Sequence, residues 1–247
     1  MFAARGGFFA VETTPVTVTG GTLTTDGSYS VRTFTSDGTL GISGGTLSYD
    51  YLVAAAGGKG GSYTSGLTLA IGGGGGGQVL YGSTSSNSNK TVTVGLANSG
   101  NGISILTTVA TSSKGIDATD NDFTGATSGS GTYVGGVGQS IYNAGGGGGQ
   151  TSIGSNGTGV AVGDTQSGGG GGTGYTSTIG GSSIVYGRGG PGAGRDFPGN
   201  NGTGYGVAGK LGTGPTAPDN NRGTGGPAGY AGTGLDGSDG VVIIRWN

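Results

Sequence analysis

The sequence predicts a mainly β protein with little or no helix, in which a small β-sandwich-like region caps a glycine-rich layer of packed polyglycine-II-type segments. Three observations predict it. Uninterrupted glycine runs occupy 72–77, 145–149 and 168–172 in a chain with 68 glycines among 247 residues. Period-2 alternation marks strands near the start, and no stretch carries helical periodicity of useful length. A run without side chains folds by packing backbone against backbone. It can adopt a left-handed helix with three residues per turn and a rise of about 3.1 Å, in which glycine, unlike proline, keeps every N–H free for a neighbour. Lacking Cβ, it also permits close approach of adjacent helices. Collagen is excluded by 6 prolines and no sustained glycine period. Full disorder is disfavoured because only 9% of residues are charged, with a net charge of −2, whereas disordered chains are usually rich in charge.

The elements follow in order. Residues 1–20 stand apart as an N-terminal arm carrying Phe2, Arg5, Phe8 and Phe9. Exposed aromatics call for a partner, so the arm reads as a docking device for another protein or as a segment folded back on its own sheet. A β-rich region is expected over 21–124. Strands are predicted at 29–35, 39–42 and 46–54, separated by Asp26-Gly27, Asp37-Gly38 and Gly44-Gly45. In 46–53, Leu47, Tyr49, Tyr51 and Val53 fall on one face, as in a half-buried strand. Further strands are predicted at 67–71, 78–81, 91–94 and 103–109. The glycine-rich layer with its display loops is placed at 125–240. Tyr175, Tyr186, Tyr205 and Tyr230, each beside glycine, either lie flat on that layer or line a binding surface. Residues 241–246 are apolar on both faces apart from Arg245, which predicts a central strand returning to the N-terminal sheet.

The order Phe34-Thr-Ser-Asp-Gly-Thr39, Tyr49-Asp-Tyr-Leu-Val53 followed by glycines, Thr91-Val-Thr-Val-Gly95, Tyr186-Gly-Arg-Gly-Gly190 and Asp239-Gly-Val-Val-Ile-Ile-Arg-Trp246 resembles the glycine-rich domain of bacteriophage tail-fibre proteins. The resemblance runs from about Phe34 to Trp246. The chain departs from that pattern at Ala54-Ala55-Ala56, where glycines are usual, and in a charged insert at 114–122. The resemblance implies packed polyglycine helices presenting variable loops to a bacterial host, on a fibre that is often trimeric.

Catalysis has little to work with. The chain has no His and no Cys, which removes the common general base, thiol nucleophiles and most zinc sites. Asp117, Asp120 and Asp122 form the one dense acidic cluster; it reads as a solvated loop. Asp120-x-Asp122-x-Thr124-Gly125 imitates the start of a calcium loop, but Gly131 stands where the closing glutamate belongs. The glycine runs neither end in Gly-Lys-Ser/Thr nor open a helix, so a phosphate loop is excluded. An acidic balance argues against nucleic acid. No secretory signal is read in residues 1–10.

The expectation is therefore a non-enzymatic virion protein without cofactor or metal, a tail-fibre or fibre-tip adhesin released into the medium at host lysis. Its expected partners are other virion proteins through the arm and a bacterial surface glycan or outer-membrane protein at the loops. The candidate receptor-binding segments are 81–90 (Tyr81, Asn87), 114–123 (Lys114, Asp120, Phe123), 133–143 (Tyr133, Tyr142) and 196–205 (Asp196, Phe197, Tyr205). The alternative is a purely structural appendage, such as a head fibre or decoration protein, without a specific receptor. A bacterial surface or filament protein is a third reading.

Overall fold

A computed structural model describes residues 15–65, 69–159, 164–199, 205–210, 213–214 and 216–247. The positions proposed for docking, Phe2, Arg5, Phe8 and Phe9, lie outside the described residues. Among the described residues fourteen strands succeed one another: β1 (Thr17–Thr19), β2 (Thr22–Asp26), β3 (Tyr29–Phe34), β4 (Gly38–Ser43), β5 (Leu47–Ala54), β6 (Val79–Ser86), β7 (Lys90–Thr93), β8 (Ser104–Leu106), β9 (Ala110–Ser112), β10 (Tyr175–Ser177), β11 (Ile184–Tyr186), β12 (Tyr205–Val207), β13 (Thr216–Pro218) and β14 (Val241–Trp246). No helix occurs among the described residues.

Two five-stranded antiparallel sheets form the sandwich, one ordered β1-β4-β7-β8-β9 and the other β2-β3-β14-β5-β6. Alternation sets the faces. Leu47, Tyr49 and Val53 of β5 join Phe34, Val242 and Ile244 against Val18, Leu40, Ile42, Val92 and Leu106 of the opposite sheet. The closing strand is central, with Ile244 paired to Arg32 on one side and Tyr51 on the other. Its apolar character on both faces has a cause: Val242 and Ile244 enter the sandwich, while Val241 and Ile243 pack outside with Val31, Leu52, Val79, Ile179 and Tyr186. The β10–β11 hairpin supplies Ile179 and Tyr186 and so covers part of that outer face. The β2–β3 turn needs Gly27, which sits at φ 59°, a conformation that costs a residue with a Cβ.

Several expectations are corrected. The arm ends sooner than position 20, because Thr17–Thr19 pairs with β4. No strand covers 67–71 among its described residues: Ala70 makes one isolated bridge, to Tyr230, and Ile71 leads directly into the glycine run. The strand expected at 103–109 is cut to β8 at 104–106, and β9 follows only from 110. Thr108 at φ 63° turns the chain, so that Leu106 faces Ala110. The strand begun near 78 runs on to Ser86. The hairpins β10–β11 and β12–β13 within the glycine-rich region carry too few residues for their pattern to stand out.

The glycine layer is a three-dimensional hydrogen-bonded lattice. Within 72–77, successive residues address different neighbours, and in two of the three directions every third residue returns to the same one. Gly73 and Gly76 donate to Gly145 and Gly148 at 3.1 and 2.9 Å, whereas Gly74 and Gly77 donate to Gly226 and Gly223 at 2.9 and 2.7 Å. Gly75 donates to Ile116, and carbonyls of the run accept from Gly58, Gly61, Ala126, Gly129 and Gly190. The run 145–149 behaves alike. It donates to Phe123 and Ala126, to Ser155 and to Gly190, and accepts from Gly73 and Gly76, Gly136 and Gly172. This period is that of a helix with three residues per turn. Both polarities coexist: 73/145 and 76/148 rise together, while 74/226 and 77/223 run opposed. The lattice begins at residue 55 and recruits 55–62 and 114–119 as well as the segments beyond 125.

Side chains enter where donors or acceptors run out. Gly115, Ala118 and Asn121 donate to the carbonyls of Ala56, Lys59 and Ser62. In return the Asp117 and Asp120 carboxylates accept the N–H groups of Lys59 and Ser62, each at 2.7 Å. Gln150 likewise accepts from the N–H of Val79 at 3.0 Å, tying the lattice to the first residue of β6.

Candidate binding surface

The lattice segments that adjoin a strand have one end at the sandwich and run away from it. The run 72–77 leaves Ala70 at the far end and passes through Gln78 into β6; segment 187–194 starts at β11 and runs outward. The far ends are joined by turns whose backbones knit together. Leu69 and Ala70 both donate to the Ile141 carbonyl, at 3.0 and 3.1 Å, and Ala231 donates to Leu69 at 2.8 Å. Here the bare glycines give way to alanines: Ala70, Ala144, Ala193, Ala208 and Ala228 cluster with Ile71 and the buried ring of Tyr230.

Polar side chains lock this end. Asn143, fully buried at the head of the second glycine run, accepts the Gln139 N–H at 2.7 Å on Oδ1. Its Nδ2 lies 2.6 Å from Gln166 Oε1 and 3.0 Å from the Thr158 carbonyl. An Asn here satisfies donor and acceptor needs that an apolar residue would leave open. Arg195 grips Asp196 through two nitrogens, Nε at 3.0 Å and Nη2 at 2.9 Å, a paired geometry with directional specificity. The same guanidinium lies 5.5 Å from the Tyr142 ring centroid. Hydrogen bonds from Arg195 and from the Gln166 backbone N–H hold the Asp196 carboxyl below the ordinary aspartate range. Burial pushes the Tyr230 phenol up, with smaller influences from Arg195, Tyr142 and Asp196 that mark their proximity.

The candidate residues divide by position. Phe123, Tyr142, Asp196 and Phe197 all lie at the far end, their backbones linked to Gly145, Arg195, Gln166 and Gly168; Phe123 is partly exposed and Phe197 is 58% exposed. Asp120 is nearby, its carboxylate engaged by Ser62. Lys114 lies at the sandwich side in an ion pair with Asp117 at 3.0 Å, and Tyr133 is there too, its carbonyl accepting from Ser128. Tyr81 and Asn87 belong to β6 and the turn after it, on the sandwich. Tyr205 lies in β12, and its side chain is outside the described residues. Thus three of the four expected loops send residues to one end. Sequence reasoning missed Asn143, Gln166 and Arg195. Arg195 alone carried a signal, the charged pair Arg195-Asp196 standing in a chain poor in charge.

The far end offers exposed aromatic rings beside a rigid ion pair, the means of non-covalent recognition. Asp117, Asp120 and Asp122 do not converge: Asp122 caps the N–H of Thr124 at 2.9 Å, and no group of three or more metal-ligating side chains occurs among the described residues. No curated protein sequence matches the chain. A family model described as a glycine-rich domain matches residues 9–247.

Proposed function

The chain belongs to the glycine-rich domain family, and on that premise we propose that it is a phage virion protein, a tail-fibre or fibre-tip adhesin that recognises the bacterial surface by non-catalytic binding. The observation that carries this reading is the gathering of Phe123, Tyr142, Asp196 and Phe197 at the end of the lattice furthest from the sandwich. A lattice whose members are hydrogen-bonded on several sides holds its loops in a fixed arrangement, and a preformed surface loses less entropy on binding. The sandwich end, with the N-terminal segment leading into β1, is the side that joins other virion proteins. Individual contacts of this polar and aromatic kind are weak, and display in several copies, as in a trimeric fibre, raises their effect by avidity.

The test is binding of the purified, labelled chain to whole cells of candidate hosts, with competition against virus adsorption. Saturable binding that blocks adsorption is expected, and Phe197→Ala is expected to weaken it about tenfold, the equivalent of about 1.4 kcal/mol. Folded protein that binds no host cell would favour the structural-appendage reading instead.

A further inference from the structure

The β10–β11 hairpin packs on the second sheet's outer face through Ile179 and Tyr186 and reaches Asp26 of β2 with Gly181, leaving the side formed by β5, β6 and Arg245 of β14 uncovered. Strand register brings Arg245 beside Asp50 on β5 and Val31 on β3, with Ser83 of β6 beside Asp50 in turn. Arg245 Nη2 bonds Asp50 Oδ2 at 2.9 Å, and the Ser83 hydroxyl donates to Asp50 Oδ1 at 2.6 Å. Two adjoining clefts share these three residues. One, of about 400 Å³, is lined also by Tyr29, Ser48, Ser85 and Trp246. The other, of about 310 Å³, is lined by Tyr81, Tyr175 and Thr176. Each is of ligand-pocket size.

The aromatic side chains set the character of the groove. Tyr81 and Tyr175 stack at 4.1 Å between centroids, 12° from parallel, yet Tyr81 remains 58% exposed. The Tyr29 ring, also exposed, carries the Arg245 guanidinium 4.8 Å from its centroid. One buried polar atom on the wall, Arg245 Nε, has no hydrogen-bond partner among the described residues, and such a group calls for an explanation.

We propose that this groove binds a neutral saccharide. An exposed aromatic face suits the C–H face of a sugar ring, because the electron-rich ring attracts the slightly positive hydrogens. The hydroxyls at the sugar's edge find both hydrogen-bonding roles in one row: Asp50 accepts, Arg245 donates, and Ser48, Ser83 and Ser85 do either. Charge sets the class. The ion pair is balanced within itself and no second cationic side chain lines either cleft, so the groove has no excess positive charge to attract uronic acids or a phosphate backbone. The site is separate from the far-end loops and does not depend on the virion reading.

Trp246, the one tryptophan of the chain, lines the groove and reports on it. The experiment titrates the full chain with neutral hexose oligomers based on glucose, mannose and galactose, and with oligogalacturonate as the acidic probe, following tryptophan emission. A neutral oligomer is expected to shift the emission saturably, with a Kd of about 1 mM or tighter. Tyr81→Ala is expected to weaken that binding about tenfold, with a melting curve showing the fold intact. Asp50→Asn weakens it as well, and Ile153→Ala, at an exposed position that lines neither cleft, leaves it unchanged. The proposal is overturned if no neutral oligomer alters the emission, if only the acidic probe does, or if Tyr81→Ala titrates like the parent chain.

Discussion

A Gly147→Ala chain is expected to lose about 3 kcal/mol of stability or more, for the addition of one methyl group. A Cβ at this position is driven into the carbonyl oxygen of Gly74 on the neighbouring run. That oxygen cannot yield freely, because it accepts the Gly190 N–H at 2.7 Å. Nor can residue 147 retreat: it donates to Gly190 and accepts from Gly172, each at 2.8 Å. Displacing either backbone strips partners from buried peptide groups, at about 1–3 kcal/mol for each group left unsatisfied. In an ordinary core the added methyl would be absorbed by rotamer changes; here there are no side chains to move. The expected reading is a fall of roughly 10 °C in the melting temperature. Gly100→Ala is the control, since a Cβ there meets nothing within 4 Å, and it should stay within about 0.5 kcal/mol of the parent. Equal melting curves for the two variants would refute the tight lattice.

Ile244→Ala is expected to cost about 2–5 kcal/mol for a different reason. Its side chain is fully buried on the middle strand, between the two sheets, and truncation leaves a cavity that the neighbouring Val53, Tyr49 and Leu106 fill only in part. The chain enters this strand directly from lattice segment 232–240. Ser238 and Asp239 still make lattice bonds there, to Gly57 and to Gly223. Damage to β14 should therefore be felt in both halves. Denaturant unfolding of Ile244→Ala, followed by Trp246 emission and by hydrogen exchange of the glycine amides, is expected to show one coincident transition shifted downward. If the glycine amides keep parental protection while the sandwich melts early, the two halves fold independently and the coupling through β14 is wrong.

The sequence foretold these two kinds of structure unequally. The sandwich strands were legible because side chains alternate: Leu47, Tyr49 and Val53 point inward as their spacing requires, and the apolar run at 241–246 could only be a strand covered on both faces. The material of the lattice was legible too, since uninterrupted glycine has few other ways to order. Its connectivity was not. Nothing distinguishes Gly74, which addresses Gly226, from Gly73, which addresses Gly145, except rotation about a helix without markers. The alternation rule also failed where the chain turned unexpectedly, as at Thr108, and where apolar residues served the lattice, as at Ala70 and Ile71. The groove on the second sheet was invisible because Asp50 and Arg245 are 195 positions apart. Only the register of β5 against β14 brings them together. At the far end, the aromatic residues announced themselves by being unusual among glycines, whereas Asn143 looked like any polar residue beside a run.

The lattice has a calorimetric consequence. What it removes from water is largely peptide group, whereas a conventional core removes hydrocarbon. Exposing apolar surface raises the heat capacity on unfolding and exposing polar surface lowers it, so this chain should fall below the usual value of about 12–15 cal/mol/K per residue. A smaller heat-capacity increment flattens the curve of free energy against temperature. The protein should then lose little of its stability on cooling, and a modest maximum should extend over a broad thermal range.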